Sequence, residues 1–171
     1  MDTPSLEFYE MALEVSALLK EMRSIIGRKV PFLINDRLDI ALAVDADGLH
    51  VGQNDLPASV CRHFLGKDKI LGVSVGSVEE AVLAEKDGAD YLSVAAFQTG
   101  TKQEAVEVFE IFKEIQKAVS IPIIAVGGIN LETLPLLAGL KIGGFAVMSA
   151  IMESDDAEET ADELLDKIHS R

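Results

Sequence analysis

Two acidic residues in this chain each close a short apolar run. Asp36 lies in Asn35-Asp36-Arg37, after Phe32-Leu33-Ile34. Asp55 follows about twenty residues on, in Gly52-Gln53-Asn54-Asp55-Leu56-Pro57. Residues so placed stand at the ends of neighbouring strands, and two carboxylates gathered there can hold a divalent metal. Mg2+ commonly takes one or two carboxylates and fills its other positions with water and phosphate oxygens. The same residues have a plainer use, because an Asp at a strand-to-helix turn caps the helix that follows. Asn35 could cap as well or hydrogen-bond a substrate, and Arg37 could pair with either carboxylate.

Further along, three stretches suit anions. Gly127-Gly128-Ile129-Asn130 and Met148-Ser149-Ala150 follow consecutive apolar runs near the end of the chain. Paired glycines let a backbone approach a ligand closely, and a helix start presents unpaired N–H groups to a phosphate. Two ordinary turns are the alternative. Thr99-Gly100-Thr101-Lys102 offers hydroxyls, a flexible Gly and a cation in the longest loop, which reads equally as a mobile polar segment. Ser74 ends a strand at the same rim and is weak alone. His50 ends a strand and faces either rim or core. His63, beside Cys61 on a helix, reads as structural. Lys69 precedes a strand at the opposite end and is a poor Schiff-base lysine. No spacing suits a zinc site and no Ser-His-Asp triad is evident.

These residues need a scaffold that sets strand ends side by side. Apolar positions at helical spacing run over 5–26, and strands are expected at Val30–Ile34, Gly48–Val51, Ile70–Val75, Tyr91–Ala95, Pro122–Val126 and Gly144–Met148. Between them come helices at Asp39–Val44, Ala58–Leu65, 78–87, 104–118 and 131–140, with closing helices at 149–153 and 157–169. Ser77 with Glu80 forms a capping-box pattern before the third of these. The strands are apolar on both faces, as parallel strands covered by helices should be. The fold class is therefore α/β, a TIM-type (β/α)8 barrel architecture with about six βα units visible, in one domain over 1–171.

Composition narrows the function. With 49% hydrophobic and 26% charged residues, the 171-residue chain can fill a globular core. No run is long and apolar enough to cross a bilayer, so a membrane is not expected as a partner. A net charge of −14 without a basic stripe argues against nucleic acid. A small phosphorylated substrate is expected instead, with metal, Lys and backbone N–H groups working against the overall field. The single cysteine, Cys61, excludes an internal disulfide and fits a cytoplasmic protein. The acidic tail from Glu153 to Asp166 reads as a solvated helix face.

Together, Phe32 to Arg37, Ala46 to Pro57, Leu71 to Ser74, Gly88 to Tyr91, Thr99 to Lys102, Ile121 to Ile129 and Val147 to Ile151 resemble the thiamine-phosphate synthase family. The Asn-Asp-Arg and Gly-Gln-x-Asp-Leu-Pro pair is the specific part, while Gly-Gly-Ile is common to many phosphate-binding barrels. The resemblance implies a (β/α)8 barrel that joins hydroxymethylpyrimidine pyrophosphate to thiazole phosphate, giving thiamine phosphate and pyrophosphate, with Mg2+ required. It implies metal binding by Asp36 and Asp55, and pyrimidine-pyrophosphate contacts from Asn35, Ser74 and Lys102. Ser74 and Lys102 would stabilise the leaving charge. Thr99 and Thr101 in their Gly100 loop, Gly128, and the Met148-Ser149 backbone would take the thiazole phosphate.

The chain departs from the family pattern in three places. The family's first two strands, the second with a Gln-x-Arg-Glu-Lys motif whose Arg and Lys bind pyrophosphate, have no counterpart, and the resemblance places Met1 just after that motif. Ala95-Ala96 stands for the usual Gly-Pro, and Thr99-Gly100-Thr101-Lys102 for Thr-Pro-Thr-Lys. The His expected soon after Ser74 is missing. The expectation is a truncated reading of a longer gene, with a short paralogue that closes by dimerisation, or complementation by a separate fragment, as alternatives. Open barrel edges would favour a homo-oligomer. The competing functions are a thiazole tautomerase-like protein and a non-catalytic thiazole-phosphate sensor.

Overall fold

The computed structural model describes residues 4–26, 30–98 and 102–170. Helix α1 (Ser5–Ile26) leads into β1 (Leu33–Asn35), α2 (Leu38–Ala43), β2 (Gly48–Val51), α3 (Ala58–Leu65) and β3 (Ile70–Val75). Next come α4 (Val78–Lys86), β4 (Tyr91–Ala95), α5 (Lys102–Ala118) and β5 (Ile123–Val126). A 3-10 turn (Leu134–Leu137), β6 (Gly144–Ala146), α6 (Ser149–Met152) and α7 (Ala157–His169) complete the order. The expected α/β alternation is present, with six parallel strands. The chain divides into two compact units, one running to Val73 with Asp87–Asp90, the other comprising Ser74–Lys86 and the chain from Tyr91 onwards.

In the first unit β1, β2 and β3 lie in chain order, with Asn35 opposite His50 and Gly48 opposite Ile70. Ile34, Leu49, Val51, Leu71 and Val73 fill the interior with Leu38, Ala41, Cys61 and Leu65 from α2 and α3. Gly48 is required where it stands, since a Cβ there would run into the Ile70 carbonyl oxygen. The Arg62 side chain is a clamp. It donates to the carbonyls of Gly88 (2.9 Å), Gly66 (2.7 Å) and Lys69 (2.8 Å) and to the Asp90 carboxylate (2.5 Å), which also accepts from Leu71 N–H at 2.7 Å. Among the described side chains of α1, Ala12 is the one hydrophobic residue that is buried, while Leu6, Met11, Leu18, Met22 and Ile25 are exposed.

In the second unit β4, β5 and β6 again follow chain order in parallel, with Ser93 opposite Ile124 and Ala125 opposite Phe145. Leu92, Ser93 and Val94 are consecutive and all buried, which requires cover on both faces of β4. Phe112 and Ile115 of α5, Leu134, Leu137 and Leu164 supply part of that core. Ser77 does cap α4, accepting from Glu80 N–H at 3.2 Å, but the Glu80 carboxylate turns to Gly76 N–H (2.7 Å).

One expected element is different. The helix expected over 131–140 is the short 3-10 turn. Pro135 has no N–H to give, Gly139 takes a φ of 90°, and Asn130 and Thr133 engage the backbone locally.

Candidate active site

The first unit builds the carboxylate pair from two strand-end turns. The chain leaves β1 with Asp36 N–H donating to the His50 carbonyl of β2 (2.8 Å), and Arg37 N–H turns back onto the Asn35 carbonyl (2.7 Å). That reversal sets Asp36 at φ 64°, a left-handed conformation that Asp and Asn adopt more readily than other side-chain-bearing residues. After β2, Asp55 closes its own turn. Its Oδ2 accepts from Gly52 N–H at 2.7 Å, and its N–H donates to the Gly52 carbonyl at 3.3 Å. Parallel neighbours thus present their carboxyls at the same end, within hydrogen-bond reach of one another.

The capping alternative does not hold. The residue that caps α2 is Arg37 and the one that caps α3 is Pro57, neither with a side-chain cap. Nor does Arg37 pair with Asp36 or Asp55. Its guanidinium makes a two-pronged bond to Asp39 (Nε to Oδ1 2.8 Å, Nη2 to Oδ2 2.6 Å) and touches Ser5 Oγ at 3.0 Å. The reason is proximity: Asp39 is two residues along, at the start of the same helix.

Asp36 therefore faces Asp55 without that cation. Burial first, then the Asp55 charge and hydrogen bond, raise the Asp36 carboxyl above its ordinary 3.8, with the Asn35 side chain working the other way. Asp36 itself is exposed. A groove of about 650 Å3 beside the pair is walled by Leu38, Leu42, Leu56 and Phe64. Two carboxylates sharing a site in this way could hold a cation. Among the described residues no three His, Cys, Asp or Glu side chains gather to hold a metal. The pair fits an ion that keeps water and substrate oxygens, which is how Mg2+ binds.

Around the pair, burial lowers the half-buried His50 imidazole, partly offset by the Asp55 charge. Cys61 is buried and its thiol raised, with Sγ donating to the Leu56 carbonyl at 3.5 Å. His63 stacks edge-on against Phe64, and Lys69 is taken by Asp45 (2.6 Å) and the Ala46 carbonyl (2.6 Å).

The second unit holds the anion-binding candidates. Gly127 and Gly128 have φ 90° and 59°, and a Cβ on Gly128 would lie 2.5 Å from the Phe97 carbonyl oxygen. Successive N–H groups in such a turn can form a concavity for an anion. Thr133 locks it, donating to the Gly128 carbonyl (2.6 Å) and accepting from Asn130 N–H (3.0 Å). Met148 and Ser149 are exposed at the start of the four-residue α6. Ser74, half-buried near the end of β3, shares a 2.8 Å hydrogen bond with Ser93 Oγ. Thr99, Gly100, Thr101 and the Lys102 side chain lie outside the described residues. The Lys102 backbone opens α5, and Gln98 N–H donates to Glu104 Oε1 at 2.6 Å. Ser93 went unnoticed in the sequence, where its only signal is a hydroxyl inside an otherwise apolar strand.

The sequence model of the family described as thiamine monophosphate synthase matches residues 2–151. A thiamine-phosphate synthase of Clostridium botulinum is 48% identical over 160 residues, covering 92% of this chain and 72% of that protein. One from Methanobrevibacter smithii is 43% identical over 169 residues, covering 98% and 78%. Among solved structures, the thiamine phosphate pyrophosphorylase of Pyrococcus furiosus superposes with a TM-score of 0.83 at 35% identity, covering 99% of this chain and 79% of that one. By family model, by relatives and by fold, this chain belongs to the thiamine monophosphate synthase family.

Proposed function

We propose that the chain is a thiamine-phosphate synthase that couples hydroxymethylpyrimidine pyrophosphate with thiazole phosphate, releasing pyrophosphate. Within a chain of this family, the observation that carries the reading is the Asp36–Asp55 pair. A thiazole-phosphate sensor or tautomerase has no use for two carboxylates aimed at a cation, and the synthase relatives do not favour either alternative. On this reading the six parallel strands belong to a TIM-type (β/α)8 barrel and the protein works in the cytoplasm; no described helix is long and apolar enough to cross a membrane.

Asp36 and Asp55 would hold Mg2+, which supplies charge neutralisation for a departing pyrophosphate. The bond between the pyrimidine methylene carbon and the pyrophosphate oxygen breaks, its electron pair leaving with the oxygen. The thiazole nitrogen lone pair then forms the new carbon–nitrogen bond. No protein nucleophile or strong base is needed. Ser74, Asn35 and Lys102 contact the pyrimidine pyrophosphate, Ser74 and Lys102 stabilising the leaving charge. Thr99 and Thr101, with Gly100, the Gly128 turn and the Met148-Ser149 backbone take the thiazole phosphate.

The test is thiamine phosphate formation by the purified chain with both substrates and Mg2+, with and without EDTA. Metal-dependent product is expected. Folded protein that makes none at any Mg2+ concentration would refute the reading.

A further inference from the structure

The middle of β4 carries a hydroxyl where the packing asks for none. Ser93 is 6% exposed and sits between Leu92 at 0% and Val94 at 2%. A buried hydroxyl pairs with something, and one partner of Ser93 is Ser74 Oγ, at 2.8 Å. Each serine has one proton to donate. A Ser74 that stabilises departing pyrophosphate must give its proton to the anion, so that proton is not available to Ser93. In that arrangement Ser93 is the donor and Ser74 the acceptor, and the bond holds the Ser74 side chain in one rotamer with its proton directed to the substrate. We propose that Ser93 is a positioning residue for Ser74, acting on the leaving group through that hydroxyl; this rests on the synthase reading above.

The experiment is a double-substitution cycle. Ser93→Ala is expected to lower kcat about fivefold, the rate equivalent of one neutral hydrogen bond, with KM for thiazole phosphate within about twofold. In a Ser74→Ala background the same change is expected to alter kcat less than about twofold, since the group it acts through is gone. Ser93→Thr, which keeps the hydroxyl on a strand that favours β-branched residues, is expected to restore most of the rate. Ser93→Cys, a weak donor of similar size, is expected to fall between, and it carries the comparison in both backgrounds if the Ala variant does not fold. Thermal melts of each variant separate loss of fold from loss of positioning. Equal losses in the two backgrounds, or a full rate for Ser93→Ala, would overturn the assignment while leaving the synthase reading intact. A folded wild-type chain without activity would overturn both.

Discussion

Replacing Asp36 with Asn should make the ligand-free protein more stable while abolishing its response to magnesium. Asn keeps the size of the side chain and is among the few residues at ease at φ 64°, so the turn is preserved. What is lost is a negative charge held beside Asp55. Two unit charges at 4 Å repel by about 1 kcal/mol in water and about 4 kcal/mol at an effective dielectric of 20. Asp36 is exposed, so the lower figure applies, about 1 kcal/mol. For a domain of this size that is a rise in Tm of about 2–4 °C in EDTA at pH 7.5. The pH dependence follows from the direction of the shift. A carboxyl raised above 3.8 in the folded state is penalised once it ionises, so the advantage of Asn is full above the folded value. It narrows as pH falls through that value and is gone below about 3.8. Magnesium reverses the order. Each tenfold increase above the dissociation constant should stabilise wild type by about 1.4 kcal/mol and leave Asp36→Asn unmoved. Asp36→Ala should fall about 1 kcal/mol below Asn, because Ala pays for the left-handed backbone. The assay is a set of melts over pH and Mg2+. An Asn variant no more stable than wild type in EDTA, or one that still gains with Mg2+, would refute the assignment of a repulsive metal-binding pair.

Asp36→Asn and Asp55→Asn should each weaken pyrimidine-pyrophosphate binding by tenfold or more and thiazole-phosphate binding by less than threefold; titration calorimetry with equal losses for the two ligands would count against a metal-mediated contact. Gly128→Ala should destabilise the protein by about 2–3 kcal/mol, since a Cβ 2.5 Å from the Phe97 carbonyl oxygen forces the backbone apart at an already left-handed position, and a denaturation midpoint unchanged from wild type would contradict that. The exposed apolar side chains of α1, with β1 at the end of the strand order, lead us to expect self-association in sedimentation velocity, reduced when Leu18 and Met22 are changed to Glu; a monomer at tens of micromolar would argue otherwise.

Much of this was legible in the residues themselves. Strands covered on both faces are largely apolar, so Ile70 to Val75 and Tyr91 to Ala95 announced themselves, and the positions just past β1 and β2 were where Asp36 and Asp55 were expected to meet. The misses have physical reasons. Arg37 was open to either carboxylate in the sequence, and local geometry chose Asp39 because it lies two residues along, at the start of the same helix. The helix expected over 131–140 had the right apolar count, but Pro135, Gly139 and the Asn130–Thr133 hydrogen bonds favour a tighter turn. Ser93 could not be singled out because its significance lies in a partner nineteen positions away, brought close only by folding. The left-handed backbone at Asp36 was hidden too: it follows from the tight turn that carries Arg37 N–H back to the Asn35 carbonyl, which the residue types alone do not announce.

The bond between Gly52 N–H and Asp55 Oδ2 has a consequence for speed. It shapes the loop from within, at 2.7 Å. An ion arriving at such a loop finds it already ordered, so little chain entropy is left to remove and little surface changes hands. Magnesium should then enter at a rate set by the exchange of its own hydration water, not by loop closure. Its association should follow a single exponential linear in concentration, and its binding enthalpy should scarcely vary with temperature.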